Sequence, residues 1–142
     1  IERRLLLEIG GFPVGIKSGE DLLTWARVAV RTDWAYSMRA MAQYNLEQVY
    51  IKEKPKRMHD AGDFIGENLC ELKRKYPERK KELNLYISHW YKMRTSVFMR
   101  VGQVKDAWRY GLKALGYNPC NYKVCVMMAL VLLPYSIRKR IV

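Results

Sequence analysis

Two adjacent carboxylates, Glu20 and Asp21, follow a glycine-rich loop, Gly10-Gly11-Phe12-Pro13-Val14-Gly15-Ile16-Lys17-Ser18-Gly19, and precede the run Leu22-Leu23-Thr24-Trp25-Ala26-Arg27. A carboxylate within hydrogen-bond reach of a hydroxyl can serve as a general base. One placed where a loop enters a helix is aimed by the backbone and kept ionised by the helix dipole. Leu22, Trp25, Ala26 and Ala29 recur at helical spacing and predict an amphipathic helix over about 19–30 with these four on one face. The same pattern suits a purely structural role. Ser18, three residues before Asp21, matches a capping box with Asp in place of Glu or Gln, and acids are commonplace in first turns.

The order Gly10-Gly11-Phe12, a short loop, Glu20-Asp21, then Trp25 and Arg27 resembles the acceptor-side motif of family 2 glycosyltransferases, over roughly the first fifty residues. That resemblance implies that Asp21 takes the proton from an acceptor hydroxyl and that Glu20, Trp25 and Arg27 belong to the acceptor site. Arg27 is then either an anion contact or a plain helix-surface charge. It further implies a nucleotide-diphosphate sugar as donor, a glycan or lipid-linked hydroxyl as acceptor, inversion at the sugar, and a divalent metal, Mg²⁺ or Mn²⁺.

Departures from the family pattern narrow the expectation. No Asp-x-Asp occurs and no glycine-rich phosphate loop follows a strand, so the chain offers no donor-binding or metal-binding residues. No Gln-x-x-Arg-Trp follows the helix; the nearest stretch, Arg31-Thr32-Asp33-Trp34, argues against a processive polysaccharide synthase. The chain therefore reads as the C-terminal part of a longer transferase, inactive alone, with the donor half elsewhere.

The formal charge is +12, from 26 basic and 14 acidic residues, and it is unevenly spread. Residues 1–51 hold six of each sign, whereas residues 52–142 hold twenty basic and eight acidic residues. Such a basic half can meet an anionic membrane surface, a phosphate-bearing acceptor or nucleic acid. No helix-turn-helix spacing, zinc-finger ligand set or aromatic RNA-binding motif accompanies it, which ranks nucleic acid behind a membrane surface and behind mere solvation. Cys70, Cys120 and Cys125, odd in number and without histidine partners at ligand spacing, read as reduced thiols in helical cores of a cytoplasmic protein.

The fold expected is mainly α with a small β component: a GT-A α/β remnant over 1–51, a basic linker over 52–62, and a helical extension over 63–142. Residues 34–46 read as one or two short strands of that remnant, and His59 as a loop histidine. Beyond the linker, one helix opens at Gly62 or Asp63 and runs to about Tyr76, and a long second one starts at Pro77 and ends at Gly102. Val104, Ala107, Trp108, Leu112 and Leu115 make the stripe of a third, which stops before Pro119. A fourth spans about 121–133.

Gly102 between two helices, Ala107, Ala114-Leu115 and Pro119 resemble a single tetratricopeptide-like unit, so a protein-interaction module without catalysis is the alternative. The apolar run Val124 to Leu133 is half the length of a membrane span. With the basic end that follows it, it reads either as a peripheral membrane segment or as a buried core helix.

Overall fold

The computed structural model describes residues 1–16, 18–35, 37–41, 43 and 62–133. They are mainly helical: α1 Arg3–Glu8, α2 Glu20–Ala29, α3 Phe64–Lys75, a 3-10 turn Pro77–Arg79, α4 Lys80–Arg100, α5 Val104–Tyr117 and α6 Tyr122–Val131. The chain divides into two compact units, Ile1–Arg57 and Met58–Val142.

In the first unit, the Gly-Gly pair ends α1. Gly10 N–H bonds the Leu7 carbonyl at 3.1 Å and Gly11 N–H the Leu6 carbonyl at 2.9 Å, with Gly10 at φ 81°. This is a Schellman closure, which requires a left-handed residue and so favours glycine at position 10. The chain then turns back onto α2. Thr24, fully buried, donates its hydroxyl to the Glu20 carbonyl at 2.8 Å, with the Gly11 carbonyl 3.4 Å away, and Arg27 Nη1 reaches the Ile9 carbonyl at 3.5 Å. Loop and helix are tied by polar contacts at both turns of α2.

Two local expectations are corrected. The residue capping α2 is Gly19, left-handed at φ 88°, with no side-chain cap bond, so Ser18 does not close a capping box. The buried face of α2 is Leu23, Thr24, Ala26 and Val28, whereas Trp25 and Ala29 are exposed. The stripe is rotated because Thr24 points inward, its hydroxyl shared between the Glu20 carbonyl of α2 and the Gly11 carbonyl of the loop, which moves the neighbouring Trp25 to the rim.

Among the described residues of 34–46 there is no strand, which removes the small β component from the described part of the fold. Strands need a partner ladder. Here the backbone instead folds on its own side chain, with Ser37 Oγ accepting from Arg39 N–H at 3.2 Å and lying 3.1 Å from its carbonyl. The basic linker (apart from Gly62), His59 and the basic end at 135–140 lie outside the described residues.

The second unit is built on α4, whose 21 residues span roughly 30 Å. Asp63 starts α3, its carboxylate accepting from Gly66 N–H at 3.2 Å. Pro77 begins a 3-10 turn that runs into α4, where its missing N–H costs nothing. Gly102, at φ 79°, closes α4 with the same pair of bonds seen after α1: Gly102 N–H to Met99 and Gln103 N–H to Phe98. The short connection makes α4 and α5 a helical hairpin.

The hairpin core differs from the predicted stripe. α5 buries Ala107, Tyr110, Gly111 and Ala114, while Val104 and Leu112 are exposed. Small residues let α5 approach its neighbours closely, and Met128 of α6 lies over Gly111, filling the space a Cβ there would occupy. Tyr110 can be a core residue because Arg94 Nη2 donates to its hydroxyl at 2.9 Å. The cysteines are free, yet Cys120 and Cys125 are exposed rather than in helical cores. Nor is α6 a fully buried helix: it packs with Val124, Met128 and Val131 and leaves Val126 exposed.

Candidate functional site

In the first unit, Glu20 and Asp21 are the first two residues of α2, where unpaired N–H groups and the helix dipole favour negative charge. Asp21 is exposed, and its Oδ1 accepts from the Leu22 N–H at 2.7 Å. Glu20 is half-buried. Its Oε2 is shielded from solvent and takes no hydrogen bond from any described residue. Asp21 therefore faces water, whereas the Glu20 Oε2 atom is enclosed by the protein.

Trp25 lies one turn beyond Asp21 and so shares its face of the helix. Its ring meets Phe12 edge-on at 5.9 Å and Trp34 edge-on at 6.1 Å. All three stay accessible, Phe12 at 45 %, Trp25 at 38 % and Trp34 at 58 %. A cluster of three accessible aromatic rings one turn from an exposed carboxylate presents apolar ring surface and a hydrogen-bond acceptor side by side.

Of the residues expected at the site, Glu20, Asp21 and Trp25 are thus brought together around the start of α2. Arg27 sits on the loop side of the helix, where it holds the Ile9 carbonyl. Phe12 and Trp34 complete the aromatic cluster. Phe12 belongs to the Gly-Gly-Phe stretch and Trp34 follows the helix at once, but their convergence on Trp25 is a tertiary fact. Among the described residues, no group of three or more metal-ligating side chains forms.

The second unit contains a different polar cluster. Asp63, only 8 % exposed, accepts from Trp90 Nε1 at 3.1 Å and from the Tyr91 hydroxyl, and meets Lys113 Nζ at 3.5 Å. It lines an open cleft of about 450 Å³, together with Glu67, Cys70, Lys73 and Arg74 of α3, Tyr91 of α4 and Lys113 of α5. Burial, then the bond to Asp63, pushes the Tyr91 hydroxyl well above the ordinary tyrosine range. Tyr117, bonded to the Cys70 thiol at 2.9 Å, is pushed up to about 12, chiefly by burial.

Aromatic rings run through this unit as a column. Phe98 stacks on Tyr110 at 5.2 Å, Tyr110 on Tyr91 at 5.9 Å and Tyr91 on Tyr117 at 5.9 Å. Cations clad the column: Lys73 lies 4.6 Å from the Tyr117 ring centre, Arg94 4.6 Å and Arg109 4.9 Å from that of Tyr110, and Lys113 5.2 Å from that of Tyr91. Part of the positive charge of this half is therefore committed internally. In the cleft the buried Asp63 is paired and both lysines lie over rings. No protein-family model, curated protein or solved structure matches the chain.

Proposed function

We propose that this chain is the acceptor-side part of an inverting, non-processive glycosyltransferase of the GT-A, family 2 type, with Asp21 as the base. The observation that carries the reading is the exposed Asp21 carboxylate one helical turn from the accessible Phe12, Trp25 and Trp34 rings. A pyranose ring lays its C–H face on such a cluster, and its hydroxyls reach the carboxylates. Glu20, beside Asp21 in the first turn of α2, shapes the acceptor site.

In the reaction, the acceptor oxygen bonds the anomeric carbon of the donor as the bond to the nucleoside diphosphate breaks on the opposite face. The acceptor proton passes to an Asp21 carboxylate oxygen. This transfer comes late, when bonding to carbon has acidified the hydroxyl. Glu20 and Trp25 bind and orient, and Arg27 holds the Gly-Gly loop against α2. The donor and a divalent metal, Mg²⁺ or Mn²⁺, which would draw charge from the leaving diphosphate, belong to residues outside this chain. The acceptor is a glycan or a lipid-linked hydroxyl, and the chain alone is inactive.

The test is nucleoside diphosphate release by the complete polypeptide that carries this chain, with Asp21 intact and with Asp21→Asn, across a panel of nucleotide sugars. Loss of a general base lowers kcat by about 10²–10⁴-fold. Trp25→Ala raises KM for the acceptor with little change in kcat, because a stacking platform binds substrate and transition state alike. Equal turnover with Asn at position 21 would reduce the acid to a helix-dipole partner and overturn the proposal.

A further inference from the structure

Helix α6 is apolar on two opposite faces. Val124, Met128 and Val131 enter the core, while Tyr122, Cys125, Val126 and Ala129 make a second stripe at i, i+3, i+4 and i+7 on the outer side. Leu133 extends that stripe just beyond the helix. Tyr122 is 69 % and Val126 54 % exposed. A helix apolar all round is ordinarily buried all round. At ten residues α6 is about 15 Å long, and no helix of the described residues is long and apolar enough to cross a membrane. The outer stripe is therefore an exposed apolar face on a helix too short to span a bilayer.

Charge identifies the surface. From Leu83 to Val142 the chain has ten lysines and arginines against one acid, Asp106, and α6 has no acid at all. Beside the stripe, Lys123 of α6 is exposed and Lys92 of α4 half-buried, and burial together with these two charges holds His89 below the usual histidine range, so the charge here is that of the lysines. A second copy of this chain would bring two such patches face to face and repel. The Arg138-Lys139-Arg140 run of the chain's own end carries the same sign and is no better matched. An anionic bilayer satisfies both halves of the surface.

We propose that the outer face of α6 docks in the interface of an anionic lipid bilayer, with Tyr122, Val126 and Leu133 entering the acyl boundary and Lys92 and Lys123 meeting the headgroups. This is the geometry of an interfacial amphipathic helix, apolar stripe down and cations at the headgroup level. It stands independently of the transferase reading, since neither Asp21 nor the aromatic cluster takes part.

The experiment is co-sedimentation of the full chain with vesicles of phosphatidylcholine alone or of phosphatidylcholine with phosphatidylserine. Binding is expected to the phosphatidylserine vesicles, to weaken steeply with added salt, and to be minor without the anionic lipid. The double variant Lys92→Gln/Lys123→Gln should bind about thirtyfold more weakly, each surface cation contributing about a factor of five. Val126→Asp, at a solvent-facing position and with unchanged circular dichroism, should abolish sedimentation.

Three results would overturn the proposal. One is the absence of binding to anionic vesicles. Another is Val126→Asp binding like the parent. The third is a dimer in solution that Val126→Asp converts to monomer while vesicles capture neither form, which makes a second copy the occupant.

Discussion

Replacing Asp63 tests whether the second unit is held at its α3–α4 corner by a buried carboxylate. That side chain caps α3 through Gly66 N–H, accepts from Trp90 Nε1 and from the Tyr91 hydroxyl, and faces Lys113. Asp63→Ala removes an N-cap, which costs about 1 kcal/mol. It also leaves the Trp90 and Tyr91 donors buried without acceptors, at about 1–3 kcal/mol each. The Lys113 contact adds little, because the lysine is 44 % exposed and its partner distance is 3.5 Å. Relief from burying the carboxylate offsets part of the total, so a net loss of about 3 kcal/mol is expected.

Asp63→Asn keeps an acceptor oxygen for the cap or for one ring donor and should cost only about 1 kcal/mol. The assay is urea unfolding followed by far-ultraviolet circular dichroism, which reads the helices. Trp90→Phe serves as a partner variant whose effect should not add fully to that of Asp63→Ala. A loss below about 1 kcal/mol for Asp63→Ala, or equal losses for Ala and Asn, would refute the idea that stranded donors dominate.

Two further outcomes follow from the same packing. A Cβ at Gly66 would stand 2.5 Å from both Asp63 Oδ2 and the Tyr91 hydroxyl oxygen, whereas one at Gly111 meets Met128 Cγ at 2.8 Å and Sδ at 2.9 Å, atoms of an unbranched side chain that can change rotamer. Gly66→Ala should therefore lower stability by about 2 kcal/mol and Gly111→Ala by less than about 1 kcal/mol, as read by the urea midpoint. Alkaline pH should also unfold this unit. Tyr91 and Tyr117 lose protons less readily folded than unfolded, so their contribution is intact below the unfolded tyrosine value of about 10. It declines as pH rises from there through about 12 for Tyr117. Tyrosinate absorbance and circular dichroism measured together should change in concert above that point, and Tyr117→Phe should reduce the pH dependence.

The sequence by itself determined where the helices of the second unit begin and end. Asp63, Pro77, Gly102 and Pro119 act within a few residues of themselves, through a cap, a fixed φ, a left-handed turn and a missing N–H, so their effects need no knowledge of the rest of the chain. It also determined that Glu20 and Asp21 stand in the first turn of α2, for the same local reason.

Which face each helix buries was decided by tertiary structure. Thr24 turns inward because the Gly-Gly loop supplies a carbonyl for it, and Tyr110 is core because Arg94 reaches its hydroxyl. Neither partner is within a helical turn, so periodicity based on apolar side chains misplaced Trp25 and Leu112. The convergence of Phe12 and Trp34 on Trp25, and the laying of lysines and arginines over a tyrosine column, depend likewise on contacts distant in sequence. Composition set the amount of positive charge; only the packing of the helices decided how much of it is laid over the tyrosine column and how much, as at Lys123 beside the exposed Tyr122, stays at the surface.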